Sequence, residues 1–146
     1  MAREYALVQS ELYFGGQGEV SDLTKMEAKE PDWIVFNGYA NRYADDPLLC
    51  GSRTAGPPLS AQRGAQRVVG AFHVIGAILD RTWQEGVVGG PAQTISIAPS
   101  QGAIVEVTME EDGTYTFVTH AFGDTVKGAV GCFESGDAGP ATSGGH

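Results

Sequence analysis

Ala103-Ile104-Val105-Glu106-Val107-Thr108-Met109-Glu110-Glu111-Asp112-Gly113-Thr114-Tyr115-Thr116-Phe117-Val118-Thr119-His120 is the stretch that decides the fold class. Successive side chains of an extended chain point to opposite faces, so Ala103, Val105, Val107 and Met109 share one side. Asp112-Gly113 turns the chain. Beyond it Tyr115, Phe117 and Thr119 alternate with Thr116, Val118 and His120, a second strand of the same period.

Reading outward, Thr94 to Ala98 alternates in the same way, and the apolar run from Phe72 to Trp83 favours strand over helix through its glycine and β-branched residues. A final strand is expected at Gly128 to Phe133. Towards the N-terminus, Tyr5 to Phe14 has strand composition and closes on Gly15-Gly16. Ser21 can cap a short helix through Lys29 that Pro31 stops. Trp33-Ile34-Val35-Phe36 reads as a buried strand ended by the turn dipeptide Asn37-Gly38. About seven short strands at this spacing predict an all-β Greek-key sandwich.

The 146 residues suffice for one domain, and 21 glycines with 7 prolines agree with many turns. The formal charge of -9 argues against nucleic acid or anionic membrane as a partner, because like charges repel at long range. No apolar stretch is long enough to span a bilayer, and Met1-Ala2-Arg3-Glu4-Tyr5 leads into a strand pattern with no signal-peptide segment. No Cys-x-x-Cys, Cys/His cluster or His-x-His occurs, which excludes zinc ribbons and paired-histidine copper motifs. Cys50 and Cys132 are one possible pair and say little about compartment. The Gly/Ala/Ser/Thr/Pro tail over residues 135–146 has little to bury and is expected to be disordered, so His146 is not a candidate ligand.

Residues 48–70 fit no element. They contain Pro57-Pro58, three of the six arginines (Arg53, Arg63, Arg67) and no period-2 pattern, so an irregular segment is expected.

Phe72-His73-Val74-Ile75-Gly76, followed by Ile78-Leu79-Asp80-Arg81, resembles the second domain of copper nitrite reductases and actinobacterial multicopper oxidases. The resemblance extends to Val35-Phe36-Asn37-Gly38, to Pro99-Ser100-Gln101-Gly102-Ala103-Ile104-Val105-Glu106, and to Gly113-Thr114-Tyr115 leading into Val118-Thr119-His120-Ala121-Phe122 and Lys127-Gly128-Ala129. It implies a cupredoxin-type Greek-key sandwich over residues 1–134, the second domain of a two-domain copper enzyme whose first domain is missing here. It further implies a homotrimer in a periplasmic or extracellular setting, with nitrite or oxygen as the small-molecule substrate.

By the same resemblance His120 takes the role of the one type 2 copper ligand that this domain supplies to an intersubunit site. His73 becomes the pocket proton donor and Ile75 the side chain beside the substrate. Gln93 and Thr94 match positions that hydrogen-bond the pocket histidine. The chemistry is consistent: imidazole suits copper, and a histidine titrating near neutrality suits a reduction that consumes protons. On composition alone, a lone histidine in an apolar strand is by default a satisfied core or edge residue.

Two departures bear on function. Cys132 is followed by Phe133-Glu134-Ser135, without the histidine and methionine of a blue-copper set, so the type 1 site is absent and Cys132 is expected simply to pack. Residues 48–70 stand where the family has a strand, and their Arg/Gly/Pro/Ala/Ser composition is what a shifted reading of GC-rich coding DNA yields. The expectation is a domain inactive on its own. The alternatives are a laccase-like, oxygen-reducing multicopper oxidase fragment, a small copper carrier, which the missing Cys-His-Met set argues against, and a non-catalytic interaction domain.

Overall fold

The computed structural model describes residues 3–50, 59–63 and 70–136, the second of these stretches by its backbone alone. Eleven strands among the described residues form two sheets. The first has the order β2 (Trp33–Phe36), β1 (Tyr5–Leu12), β4 (Leu59–Arg63), β9 (Gly102–Val107), β6 (Leu79–Gln84), β7 (Val87–Gly89). The second runs β3 (Asp46–Cys50), β11 (Val130–Ser135), β10 (Gly113–Thr119), β5 (Gly70–Val74), β8 (Thr94–Ile97). Three short helices, α1 (Leu23–Ala28), α2 (Arg42–Asp45) and α3 (Phe122–Val126), lie between strands. None of the described helices is long and apolar enough to cross a membrane.

The all-β sandwich follows from the alternation that predicts it. Leu7, Val105, Val107 and Leu79 from one sheet meet Phe72, Val74, Ile95, Ile97, Phe117 and Phe133 from the other in a single core. Phe117 is fully buried and central, its ring 4.8 Å from Phe133 and 5.5 Å from Phe36 between centroids. Each such side chain removed from water stabilises the fold by about 1.5–3 kcal/mol before entropy is counted.

The sheets hold eleven strands where about seven were expected, for three physical reasons. The run from Phe72 to Trp83 is not one strand: Gly76 takes a left-handed φ of +87° and passes the chain from β5 in one sheet to β6 in the other. Glu85 and Gly86, both at positive φ, close a tight hairpin into β7. The expectation that residues 48–70 are irregular is corrected at three places, the last being Gly70, which opens β5. Residues 48–50 complete β3, parallel to β11, and residues 59–63 form β4, parallel to β1 and antiparallel to β9. Ladder hydrogen bonds come from the backbone, so a stretch without apolar alternation still completes the sheet between two strands that would otherwise present unpaired edges. The rest of that segment, residues 51–58 and 64–69, lies outside the described residues.

Smaller differences have local causes. Asp22 rather than Ser21 caps α1, its side chain accepting from the backbone N–H of Lys25. Asp112-Gly113 turns the chain as expected, and the turn carries it from β9 in the first sheet to β10 in the second. Strand β11 runs through Ser135, which is fully buried, so the sandwich reaches one residue past Glu134; residues 137–146 lie outside the described residues. Both cysteines are free thiols. Cys132 faces Thr116 across the β10–β11 ladder, and Cys50 on β3 donates to the Glu134 carbonyl.

Candidate metal centre

Alternation in the second sheet aims the candidate residues. Phe72 and Val74 point into the core, so His73 between them points out of the sandwich. Antiparallel pairing sets His73 opposite Val118 of β10 on one side and opposite Thr94 of β8 on the other. His120 follows the last residue of β10, and its backbone N–H donates to the Ala71 carbonyl at 2.8 Å. Residues far apart in sequence therefore meet on one outer face.

The two imidazoles stack, with centroids 5.0 Å apart and planes inclined by 27°. His73 is half-buried and His120 exposed. The Phe122 ring, at the start of α3, stands edge-on to His120 with a centroid distance of 5.2 Å and an interplanar angle of 87°. Ile75 is 48% exposed at the end of β5, and its N–H donates to the Thr116 carbonyl.

His73 Nδ1 lies 2.6 Å from the Gln93 carbonyl oxygen. A carbonyl only accepts, so Nδ1 carries the proton and Nε2 is the nitrogen whose protonation can change. The hydrogen bond uses the main chain of Gln93, whose side chain plays no part in it. Thr94, the other expected partner, is paired with His73 across the ladder and shares its face, while the acceptor is the Gln93 carbonyl.

Four of the five expected site residues thus come together, His73 opposite Thr94 in the β5–β8 ladder, bonded to the Gln93 carbonyl and stacked on His120, and Ile75 follows just past the end of β5. Phe122 belongs to the same cluster and was not anticipated, because an aromatic residue just beyond a strand carries no periodic signal. Among the described residues no three His, Cys, Asp or Glu side chains come together in a group able to hold a metal.

No family model matches the chain. The curated copper-containing nitrite reductases of Neisseria meningitidis serogroup B and Neisseria gonorrhoeae are each 32% identical to it over 137 residues, 88% of this chain and 35% of theirs. Among solved structures, the Cu-containing nitrite reductase of Thermus scotoductus superposes with a TM-score of 0.79 at 25% identity, over 95% of this chain and 32% of that one. The copper nitrite reductase of Nitrosomonas europaea, at 23% identity, shares the fold with a TM-score of 0.81 over 99% of this chain and 53% of that one. A multicopper oxidase at 17% identity shares the fold with a TM-score of 0.75 over 92% of this chain and 45% of that one. The outer-face histidines therefore sit on a cupredoxin-type sandwich, and the chain, which spans 35% of the length of its curated relatives, is similar over 88% of its own length to copper-containing nitrite reductases.

Proposed function

We propose that the chain is the second domain of a nitrite reductase of this family, presenting His120 as one ligand of a catalytic copper and His73 as the proton carrier of the pocket beside it. The observation that carries this reading is the stacked pair: an exposed imidazole at a strand end, against a second imidazole whose tautomer is fixed. Identity of 32% to nitrite reductases favours nitrite over oxygen as the substrate. The homotrimer and the periplasmic or extracellular location implied by the resemblance belong to the same proposal.

The donor set fits copper as a contributor and not as a complete site. Imidazole is a good copper ligand, but one ring cannot hold the metal against exchange, and the described residues offer no group of three. The remaining ligands come from outside the described residues. Copper, when bound, supplies the electron and the point of attachment for nitrite.

The chain's own residues handle protons and orientation. Reduction of nitrite to nitric oxide and water takes one electron and two protons. His73 holds one of them at Nε2, because Nδ1–H is committed to the Gln93 carbonyl. That hydrogen bond also fixes the ring plane, so Nε2 faces a constant direction. Ile75 presents an apolar surface beside the pair and limits how a small anion can lie there.

Copper(II) sulfate titrated into the 15N-labelled chain tests the assignment. The expected result is selective paramagnetic broadening of the His120 ring, then of His73, with copper lost on dialysis and no nitrite turnover by the chain alone. Broadening centred elsewhere would overturn the ligand assignment. About one dialysis-resistant copper per chain, lost in His120→Ala, would overturn the single-ligand reading.

A further inference from the structure

An exposed ligand ring is useful to a metal site only if something holds it still. The backbone of His120 is fixed by its hydrogen bond to Ala71, but its side chain lies beyond the last ladder pair of β10. His73 covers one face of the ring. The second contact comes from Phe122, edge-on at 87°.

Phe122 is 64% exposed, so burial in the core does not account for its position. Its backbone is nevertheless well anchored. Thr125 Oγ1 donates to the Thr119 carbonyl, tying α3 back onto β10, and the Ala129 N–H donates to the Asp124 carbonyl. Gly128, at a φ of +103°, lies so close to Ala40 that a Cβ there would meet the Ala40 Cβ at 2.8 Å. A large apolar ring is thus held at the surface by a pinned helix, with the His120 imidazole as its aromatic contact.

We propose that Phe122 is a positioning residue for His120, its ring standing edge-on to the imidazole while His73 stacks against it, so that the ring presents one fixed orientation to a metal. This rests on the reading of His120 as a copper ligand. Edge-to-face aromatic contact favours the bracketed rotamer by about two- to tenfold over alternatives that lose it. The bracket has one rigid jaw, since the His73 ring is locked through Gln93, and one jaw that substitution can remove.

The test is NMR on the full chain with labelled histidine rings, in wild type and in Phe122→Ala, Phe122→Leu and Phe122→Tyr. Wild type should show one His120 rotamer, with ring-to-ring cross-peaks to both His73 and Phe122. In Phe122→Ala the cross-peaks to His73 should fall and the His120 side-chain couplings should average, while the remaining backbone spectrum stays in place. Phe122→Tyr should restore the single rotamer, and Phe122→Leu, which keeps bulk without the ring, should restore it only in part. Retention of one rotamer and of the His73 cross-peaks in a folded Phe122→Ala chain would overturn the proposal. A copper(II) sulfate titration of the same samples separates the two ideas. If His120 of the wild type is not broadened, the ligand reading fails whatever the rotamers do. If it is broadened with equal affinity in wild type and Phe122→Ala, the positioning role fails while the ligand stands.

Discussion

Replacing Phe117 with alanine probes the joint between core and site. Phe117 is fully buried, and its ring contacts Phe133, Phe36, Phe72 and Tyr43 from four different elements. The ring tip sits where a Cβ on Gly131 would come within 2.2 Å, so β10 and β11 are already as close as they can be. Neighbours held in four elements cannot all move into the space, so the cost should lie in the upper part of the usual range for Phe→Ala, about 4 kcal/mol. That is a large share of the roughly 5–15 kcal/mol available to a domain. With a urea m-value of about 2 kcal/mol/M the unfolding midpoint should drop by about 2 M, read from the fluorescence of Trp33 and Trp83. Because Phe117 precedes Val118, the partner of His73, the ring-to-ring cross-peaks between His73 and His120 should persist in the folded variant as long as the β5–β10 register holds. A midpoint shift equivalent to less than about 1 kcal/mol at unchanged m would refute the claim that the core cannot close around this ring.

Gly131→Ala should cost about 1–3 kcal/mol by overpacking, since its Cβ would meet both the Phe117 ring and Tyr43; chemical denaturation measures it, and neutrality would mean that the strands can part. The side-chain hydrogen bond from Lys25, followed by the Phe14 backbone N–H, holds the Asp32 carboxyl below its ordinary value. A depressed folded-state value stabilises above the unfolded carboxylate value of about 4 and is lost as pH falls through the lower folded one. Acid should therefore loosen the α1–β2 clasp only as pH falls through that lowered value, seen as faster hydrogen exchange there, and Lys25→Met should flatten that dependence. Burial pushes the Cys50 thiol up, so at pH 8 it should alkylate with iodoacetamide more slowly in the folded chain than in urea, as mass spectrometry would show; equal rates would contradict its burial.

The strands with one-sided burial were legible because pattern and environment coincide. Ile95 and Ile97, and Val105 and Val107, alternate with less buried residues and point to the core, whereas Phe117, Val118 and Thr119 at the end of β10 are all buried. Strand β4 was not legible, for its place between β1 and β9 is secured by backbone pairing, which leaves no mark on side-chain pattern. Strand β7 had a usable signal in Glu85-Gly86, a turn dipeptide with apolar residues on either side. The division at Gly76 was hidden because both halves of the run supply buried residues, Val74 and Leu79, to the same core from opposite sheets. His73 and His120 could be named together only through the family resemblance, since periodicity fixes the face a residue takes and not the strand it neighbours. Phe122 lies outside any ladder, and the resemblance that includes it assigned it no role.

The orientation of the histidine pair is a consequence of the core. A one-residue slip of β5 against β10 would turn His73 inward and expose Phe72 and Val74, exchanging two buried apolar side chains for a buried imidazole. The loss of burial alone, about 1.5–3 kcal/mol for each side chain, makes the slipped register negligible, so the aim of His73 is set by residues that never touch the site. His120 is different. It lies just past the ladder, where register no longer dictates direction, and its ring takes its orientation from two aromatic contacts and not from the sheet. Core substitutions that leave the register intact should consequently disturb His73 little, whereas substitution of the exposed Phe122 in α3, less costly to stability, should act on His120.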